Sequence, residues 1–210
     1  MALTLYTNPQ SRGRIARWMC EEVREAAGID YETAILDYQT TMKAPDYLAI
    51  NPMGKVPAIV HDGTVLTEAA AICAYLGDAF PDAGLAPASG DPARGPYYRW
   101  LFFAAGPLEQ AVVNRTLGVT QDADRPRMVG YGSYDAVVNA LDGWFAAHDY
   151  VTGGRFTAAD VYVGSAVGWG MMFGTIPKRP AFEAYAGRVL TRPAAVRAKE
   201  IDDALVKGAT

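Results

Sequence analysis

The chain has 210 residues, half of them hydrophobic and a fifth charged, with a net charge of −4. That length and balance suit a soluble globular protein of one large or two small domains, and the slight acidity leaves no basic stripe to neutralise nucleic-acid phosphates. No apolar run approaches the roughly 20 residues that span a bilayer, and the first residues lack a signal-peptide pattern, so the expectation is a cytoplasmic protein without membrane or nucleic-acid partners.

Leu3 to Thr7 alternates apolar and polar residues and predicts a strand ending at the turn-forming pair Asn8-Pro9. After Ser11, a helical repeat places Ile15, Trp18, Met19, Val23 and Ala26 on one face and Arg17, Glu21, Glu22, Arg24 and Glu25 on the other, with Gly28 as the stop. Tyr31 to Leu36 predicts a second strand, and a polar segment leads to a short helix over Pro45 to Ile50. Asn51-Pro52 starts a turn and Pro57 opens the strand Ala58-Ile59-Val60. Asp62-Gly63 is a preferred tight hairpin pair, and Thr64 to Thr67 returns antiparallel. A helix then starts at or beside Glu68, with apolar spacing at Ala69, Ile72, Cys73 and Leu76. The order βαβ-α-ββα implies a parallel pair with a right-handed crossover plus an antiparallel hairpin.

Turn formers crowd Phe80 to Pro92, which predicts a linker over 81–91 between a domain at 1–80 and another at 92–210. The second half shows no strand pattern. Helices are expected over Tyr97 to Arg115, with a bend at Gly106-Pro107, over Tyr134 to His148, from Thr157, over Pro180 to Thr191 and from Pro193 to Val206. Thr157 and Asp160 fit a short capping box at the third of these.

Chemistry concentrates in the first half. Ser11 either caps the first helix or, with the helix N–H groups, faces an anion. Tyr6 is a competing hydroxyl whose position on a strand also suits packing. Arg12 and Arg14 offer positive potential or simple solvation, and Lys43 a cation for a carboxylate. Glu68 is favoured at a helix start by the dipole alone; paired with the free N–H of Ala69 it suits an ammonium beside a carboxylate. A cis Pro57 would turn Val56 outward to pair with an extended peptide. The two cysteines, Cys20 and Cys73, have no redox or zinc spacing, fit packing on apolar helical faces, and leave no metal set.

The segment Tyr6-Thr7-Asn8-Pro9-Gln10-Ser11-Arg12, with NPMGKVP, TEAAAICAYL and FTAADVYVG further on, resembles the soluble glutathione transferases over nearly the whole chain. The resemblance implies an α/β thioredoxin-like N-terminal domain followed by an all-helical (all-α) C-terminal domain. It implies that glutathione is the co-substrate and that a small hydrophobic electrophile is the partner substrate, with conjugation as the reaction. A glutathione-dependent disulfide reductase or peroxidase, and a non-catalytic binding protein, are the alternatives on the same scaffold. By the same resemblance the bond before Pro57 is cis, Val56 pairs with the cysteinyl backbone of glutathione, Glu68 and Ala69 hold the γ-glutamyl end, Lys43 reaches the glycyl carboxylate, and Ser11 faces the thiol as in serine-type bacterial members. Phe103, Pro107 and Gln110, with Trp169 or Phe173, would meet the electrophile, and Met53 would plug a homodimer. Two departures stand out. Ala69 replaces the Ser usual after the Glu, removing one hydroxyl bond worth about 1–2 kcal/mol, and neither cysteine is at or next to Ser11, unlike the cysteine-type members.

Overall fold

The computed structural model describes residues 2–119 and 128–208. Within them the chain divides into two compact units, residues 2–86 with 191–208, and residues 87–119 with 128–190.

In the first unit, β1 (Leu3–Thr7) buries Leu3, Leu5 and Thr7 and leaves Thr4 and Tyr6 half-buried, as the alternation of its residues requires. Helix α1 (Gly13–Ala27) follows and ends at Gly28, whose φ of 69° makes the left-handed cap. Strand β2 (Glu32–Ile35) pairs parallel to β1. A 3₁₀ turn (Thr41–Lys43) and α2 (Pro45–Ile50) lead to β3 (Ala58–His61), antiparallel to β1, and β4 (Thr64–Thr67), antiparallel to β3. The sheet order is therefore β2-β1-β3-β4. Asp62 and Gly63 both have positive φ, 45° and 82°, the form of a type I′ turn and the reason this pair closes the hairpin. Helix α3 (Ala69–Ala79) completes the unit's first pass.

Helix α9 (Pro193–Gly208) returns to this unit and packs on α1. Residues 120–127 and 209–210 of the expected domain over 92–210 lie outside the described residues, and its last helix packs within the first unit. The cause is on α1. Of the five residues that periodicity reads as the polar side, Arg17, Glu21 and Glu22 are only 1–2% exposed, while Arg24 and Glu25 stay exposed. Arg17 Nε meets Asp202 at 2.7 Å, Glu22 takes a forked bond from Arg192 at 2.7 Å to each oxygen, and Arg197 Nε reaches Glu21 at 3.2 Å. Arg197 and Asp202 on α9, with Arg192 just before it, complement the charges on α1, so part of a polar face became an interface.

The second unit is helical among its described residues: α4 (Arg94–Phe103), α5 (Glu109–Thr116), α6 (Tyr134–Ala147), α7 (Ala158–Phe173) and α8 (Pro180–Leu190). The bend expected at Gly106-Pro107 is a π-helical turn, Ala104–Leu108, which absorbs a proline that has no N–H to give. Thr157 and Asp160 form the capping box at the start of α7. Asp160 Oδ1 also accepts from Val151 N–H at 2.8 Å and Tyr185 Oη at 3.1 Å, joining α7, the loop before it and α8.

Candidate functional site

The sheet topology decides what can meet. Tyr6 is paired with Ala58, and Ala58 with Thr67. The end of β1, the start of β3 and the end of β4 therefore lie at one edge of the first unit. The residues that follow or precede them are brought to the same edge: the turn Asn8–Ser11, the Val56–Pro57 peptide, and Glu68–Ala69 at the start of α3.

Ser11 occupies the turn between β1 and α1. Its Oγ donates to the Asn8 carbonyl at 2.7 Å and accepts from Gly13 N–H at 2.9 Å. Its Oγ thereby satisfies the first N–H of α1, while Arg12, the residue at the cap position, makes no side-chain cap bond. The turn is tied on three sides. Asn8 Nδ2 donates to Leu36 C=O at 2.7 Å, Tyr38 Oη to Gln10 C=O at 3.1 Å, and Arg14 Nε to Pro9 C=O. Arg14 also bonds Asp203 of α9 at 2.7 Å, so its charge is committed to that carboxylate instead of standing open beside a thiol. Gly13 is obligatory here. A Cβ on it would collide with Thr7 Oγ1 and lie 2.9 Å from Ser11 Oγ.

Tyr6 sits on the other face of β1. Its ring lies 5.7 Å from that of Tyr47, in a small cluster with Met42 and Ala58. Packing accounts for Tyr6.

The loop before β3 is built from within. Asn51 is buried, with Nδ2 donating to Lys55 C=O at 2.8 Å and Oδ1 accepting from Met53 N–H at 3.1 Å. Tyr47 Oη donates to the same Lys55 carbonyl at 2.5 Å, and burial pushes its hydroxyl up to about 12, so it remains a donor. Lys43 Nζ donates to Gly54 C=O at 2.8 Å and is otherwise exposed. Gly54 has φ 55° and its Cα is backed against Met42 C=O, which leaves no space for a side chain. The Val56–Pro57 peptide is cis, with Val56 half-buried and Pro57 buried.

Glu68 stands at the cap position of α3 with φ 66° and ψ 113°, and its side chain is exposed. A non-glycine residue held there costs on the order of 1–3 kcal/mol, a strain that concentrates at functional positions. No side chain caps α3, so the N–H groups of its first turn, Ala69 included, have no intrahelical acceptor. The first turn of α3 therefore presents the kind of donors that anions take, with a carboxylate beside them.

The chain's own thiols are poor nucleophiles. Cys20 and Cys73 are buried and free, and burial pushes Cys20 up to about 12 and raises Cys73 as well. No group of three or more metal-ligating side chains occurs among the described residues, and none of their helices is long and apolar enough to cross a membrane.

In the second unit, Phe103 ends α4 half-buried against Trp100, ring centroids 5.0 Å apart. Pro107 is half-buried in the π-helical turn, and Gln110 is exposed on α5. Trp169 is half-buried and Phe173 is 72% exposed at the end of α7. Met53 in the first unit is 71% exposed. Asn8 is the residue that sequence reasoning passed over. It was visible as a turn former, but its bond spans 28 residues to Leu36 and no local pattern marks it.

Residues 1–78 match the family model for the glutathione S-transferase N-terminal domain, and residues 132–193 that for the C-terminal domain. The chain is 27% identical over 198 residues to glutathione S-transferase GST-4.5 of Xanthomonas campestris pv. campestris, covering 90% of this chain and 93% of the relative. It is 32% identical over 171 residues to glutathione S-transferase 3 of Zea mays, covering 75% and 73%. A sphingomonad glutathione S-transferase solved in complex with glutathione superposes with a TM-score of 0.76 at 32% identity, over 95% of this chain and 98% of that one.

Proposed function

Because the chain belongs to the glutathione S-transferase family, we propose that the edge built from Asn8–Ser11, Val56–Pro57 and Glu68–Ala69 binds glutathione, with Ser11 facing its sulfur. The protein is a glutathione transferase, an enzyme with glutathione as its co-substrate. The observation that carries the site assignment is the pairing of Tyr6 with Ala58 and Ala58 with Thr67, which gathers all three segments at one end of the sheet.

Each group has one task. The Val56 backbone pairs with the cysteinyl unit of glutathione like an added strand. The Glu68 carboxylate takes the γ-glutamyl ammonium, and Ala69 N–H takes the adjacent carboxylate. Lys43, already oriented by Gly54 C=O, reaches the glycyl carboxylate. At the thiol, lowering a pKa of about 8.5 by two units requires about 2.7 kcal/mol. The N-terminus of α1 supplies about 0.3–2 kcal/mol and a hydrogen bond to a charged acceptor about 1.5–3 kcal/mol, so the two together reach the requirement. The bound thiolate then attacks a small hydrophobic electrophile, for which we assign Phe103, Pro107 and Gln110. Holding both reactants contributes the rest of the acceleration. Two free, buried cysteines suit a reducing compartment, and we place the enzyme in the cytoplasm as a homodimer that uses the exposed Met53 at its interface.

A crystal structure with glutathione tests the site. The sulfur is expected within hydrogen-bonding distance of Ser11 Oγ and the γ-glutamyl group at Glu68 and Ala69. Glutathione bound with its sulfur on Tyr6 Oη, or away from the Val56–Pro57 edge, would contradict the assignment.

A further inference from the structure

We propose that Asn8 is a positioning residue for catalysis, acting through the Ser11 hydroxyl. The inference rests on the reading of Ser11 as the donor to the thiolate.

Ser11 Oγ makes two bonds whose directions are fixed by chemistry. The Asn8 carbonyl has no proton, so Ser11 is the donor in the 2.7 Å contact; Gly13 N–H has no lone pair, so Ser11 is the acceptor in the 2.9 Å contact. The same Asn8 carbonyl accepts Ser11 N–H at 3.1 Å. One residue therefore fixes both the main chain and the side chain of Ser11. Asn8 is held in turn by its own side chain, with Nδ2 on Leu36 C=O at 2.7 Å, just past the end of β2, and Oδ1 on Gln10 N–H at 2.9 Å. The chain of bonds runs Leu36, Asn8, Ser11, Gly13, and it links β2 to the first turn of α1.

This arrangement sets where the hydroxyl rests and what it gives up. Without glutathione the Ser11 proton lies on a neutral carbonyl. A thiolate replaces that carbonyl as the acceptor, exchanging a neutral bond for a charge-assisted one, while Gly13 N–H stays on Oγ and polarises it toward donation. The exchange requires Oγ to stay in place as its proton rotates, and the Leu36 tie on Asn8 is what keeps it there.

The test compares Asn8→Ala, Asn8→Ser, Ser11→Ala and the Asn8→Ala/Ser11→Ala double variant. For each, the pKa of enzyme-bound glutathione is read from thiolate ultraviolet absorbance and from the pH profile of kcat/KM with an activated aryl halide. Asn8→Ser keeps a short side-chain oxygen for Gln10 N–H but cannot reach Leu36. Both Asn8 variants are expected to raise the bound thiol pKa by about one unit and lower kcat about tenfold at neutral pH, with KM for glutathione within about twofold. In the Ser11→Ala background, Asn8→Ala is expected to add no shift. A wild-type thiol pKa in either Asn8 variant, or a full additional shift in the double variant, would overturn the inference while leaving Ser11 its role. A wild-type pKa in Ser11→Ala itself would instead overturn the reading of Ser11, and the inference with it. A residue that only supported the fold would lower Tm without moving the thiol pKa.

Discussion

Gly13 sits with its Cα against the buried Thr7 hydroxyl and its N–H on Ser11 Oγ, so a side chain there has to displace one or the other. Thr7 is fully buried and cannot swing away. Gly13→Ala is therefore expected to push the first turn of α1 off β1, cutting kcat/KM about tenfold or more and lowering stability by about 1–3 kcal/mol, the usual cost of overpacking. Steady-state kinetics and denaturant melts check both. Glu68 gives the opposite combination. Its left-handed backbone is strained, and Glu68→Gly is expected to stabilise the fold by about 1 kcal/mol while raising KM for glutathione, because it removes the carboxylate that we assign to the γ-glutamyl ammonium. Calorimetric Tm together with KM tests that pairing; unchanged stability would show that the backbone at Glu68 carries no strain. That Glu68 and Val56 lie at one end of the hairpin was legible in the sequence because Asp62-Gly63 fixes the hairpin and the hairpin fixes which residues lie opposite. Asn8 and Gly13 were not, since their roles depend on Leu36 and Thr7, which approach only when the strands pair.

The start of α7 was read correctly from Thr157 and Asp160 alone, because a capping box is local. What four residues could not reveal is that Asp160 also gathers Val151 N–H and Tyr185 Oη in a fully buried place. Asp160→Asn turns a pure acceptor into a group with two donors facing other donors, and is expected to cost about 2–4 kcal/mol at neutral pH, read from denaturant unfolding. Burial lifts this carboxyl from 3.8 to about 6, against the pull of its hydrogen bonds. A folded-state pKa above the unfolded one means the native state holds the proton more tightly. That contribution is complete below pH 3.8 and is lost as pH rises through about 6. Wild-type stability relative to Asp160→Asn is thus expected to fall between pH 4 and about 7. A difference independent of pH in that window would contradict the assignment. Helix α1 shows the limit of reading by period: Arg17, Glu21 and Glu22 of its charged face are covered by complementary charges on and just before α9, and one helix's sequence does not disclose what packs on it.

At the scale of the whole molecule, the last helix returns to the first unit. The chain passes from one unit to the other within the turn formers between Phe80 and Pro92 and again between Leu190 and Thr191. What holds the returned helix includes the Arg17–Asp202 pair, with side chains 2% and 0% exposed. Removing one partner of a buried pair leaves a charge without compensation, so Asp202→Ala is expected to destabilise the protein by about 3–5 kcal/mol while leaving the pKa of bound glutathione at its wild-type value. Denaturant melts and thiol titration on the same sample separate the two effects. Arg14 ties the Asn8–Ser11 turn to the same helix, donating to Pro9 C=O and pairing with Asp203 at 2.7 Å.

The central claim is that Ser11 holds the glutathione thiol as thiolate, and titration of enzyme-bound glutathione by its thiolate absorbance tests it most directly. Wild type is expected to show a pKa about two units below that of free glutathione, and Ser11→Ala a pKa at least about one unit higher than wild type with kcat at neutral pH reduced in step. An unchanged titration curve and pH–rate profile in Ser11→Ala would contradict the account.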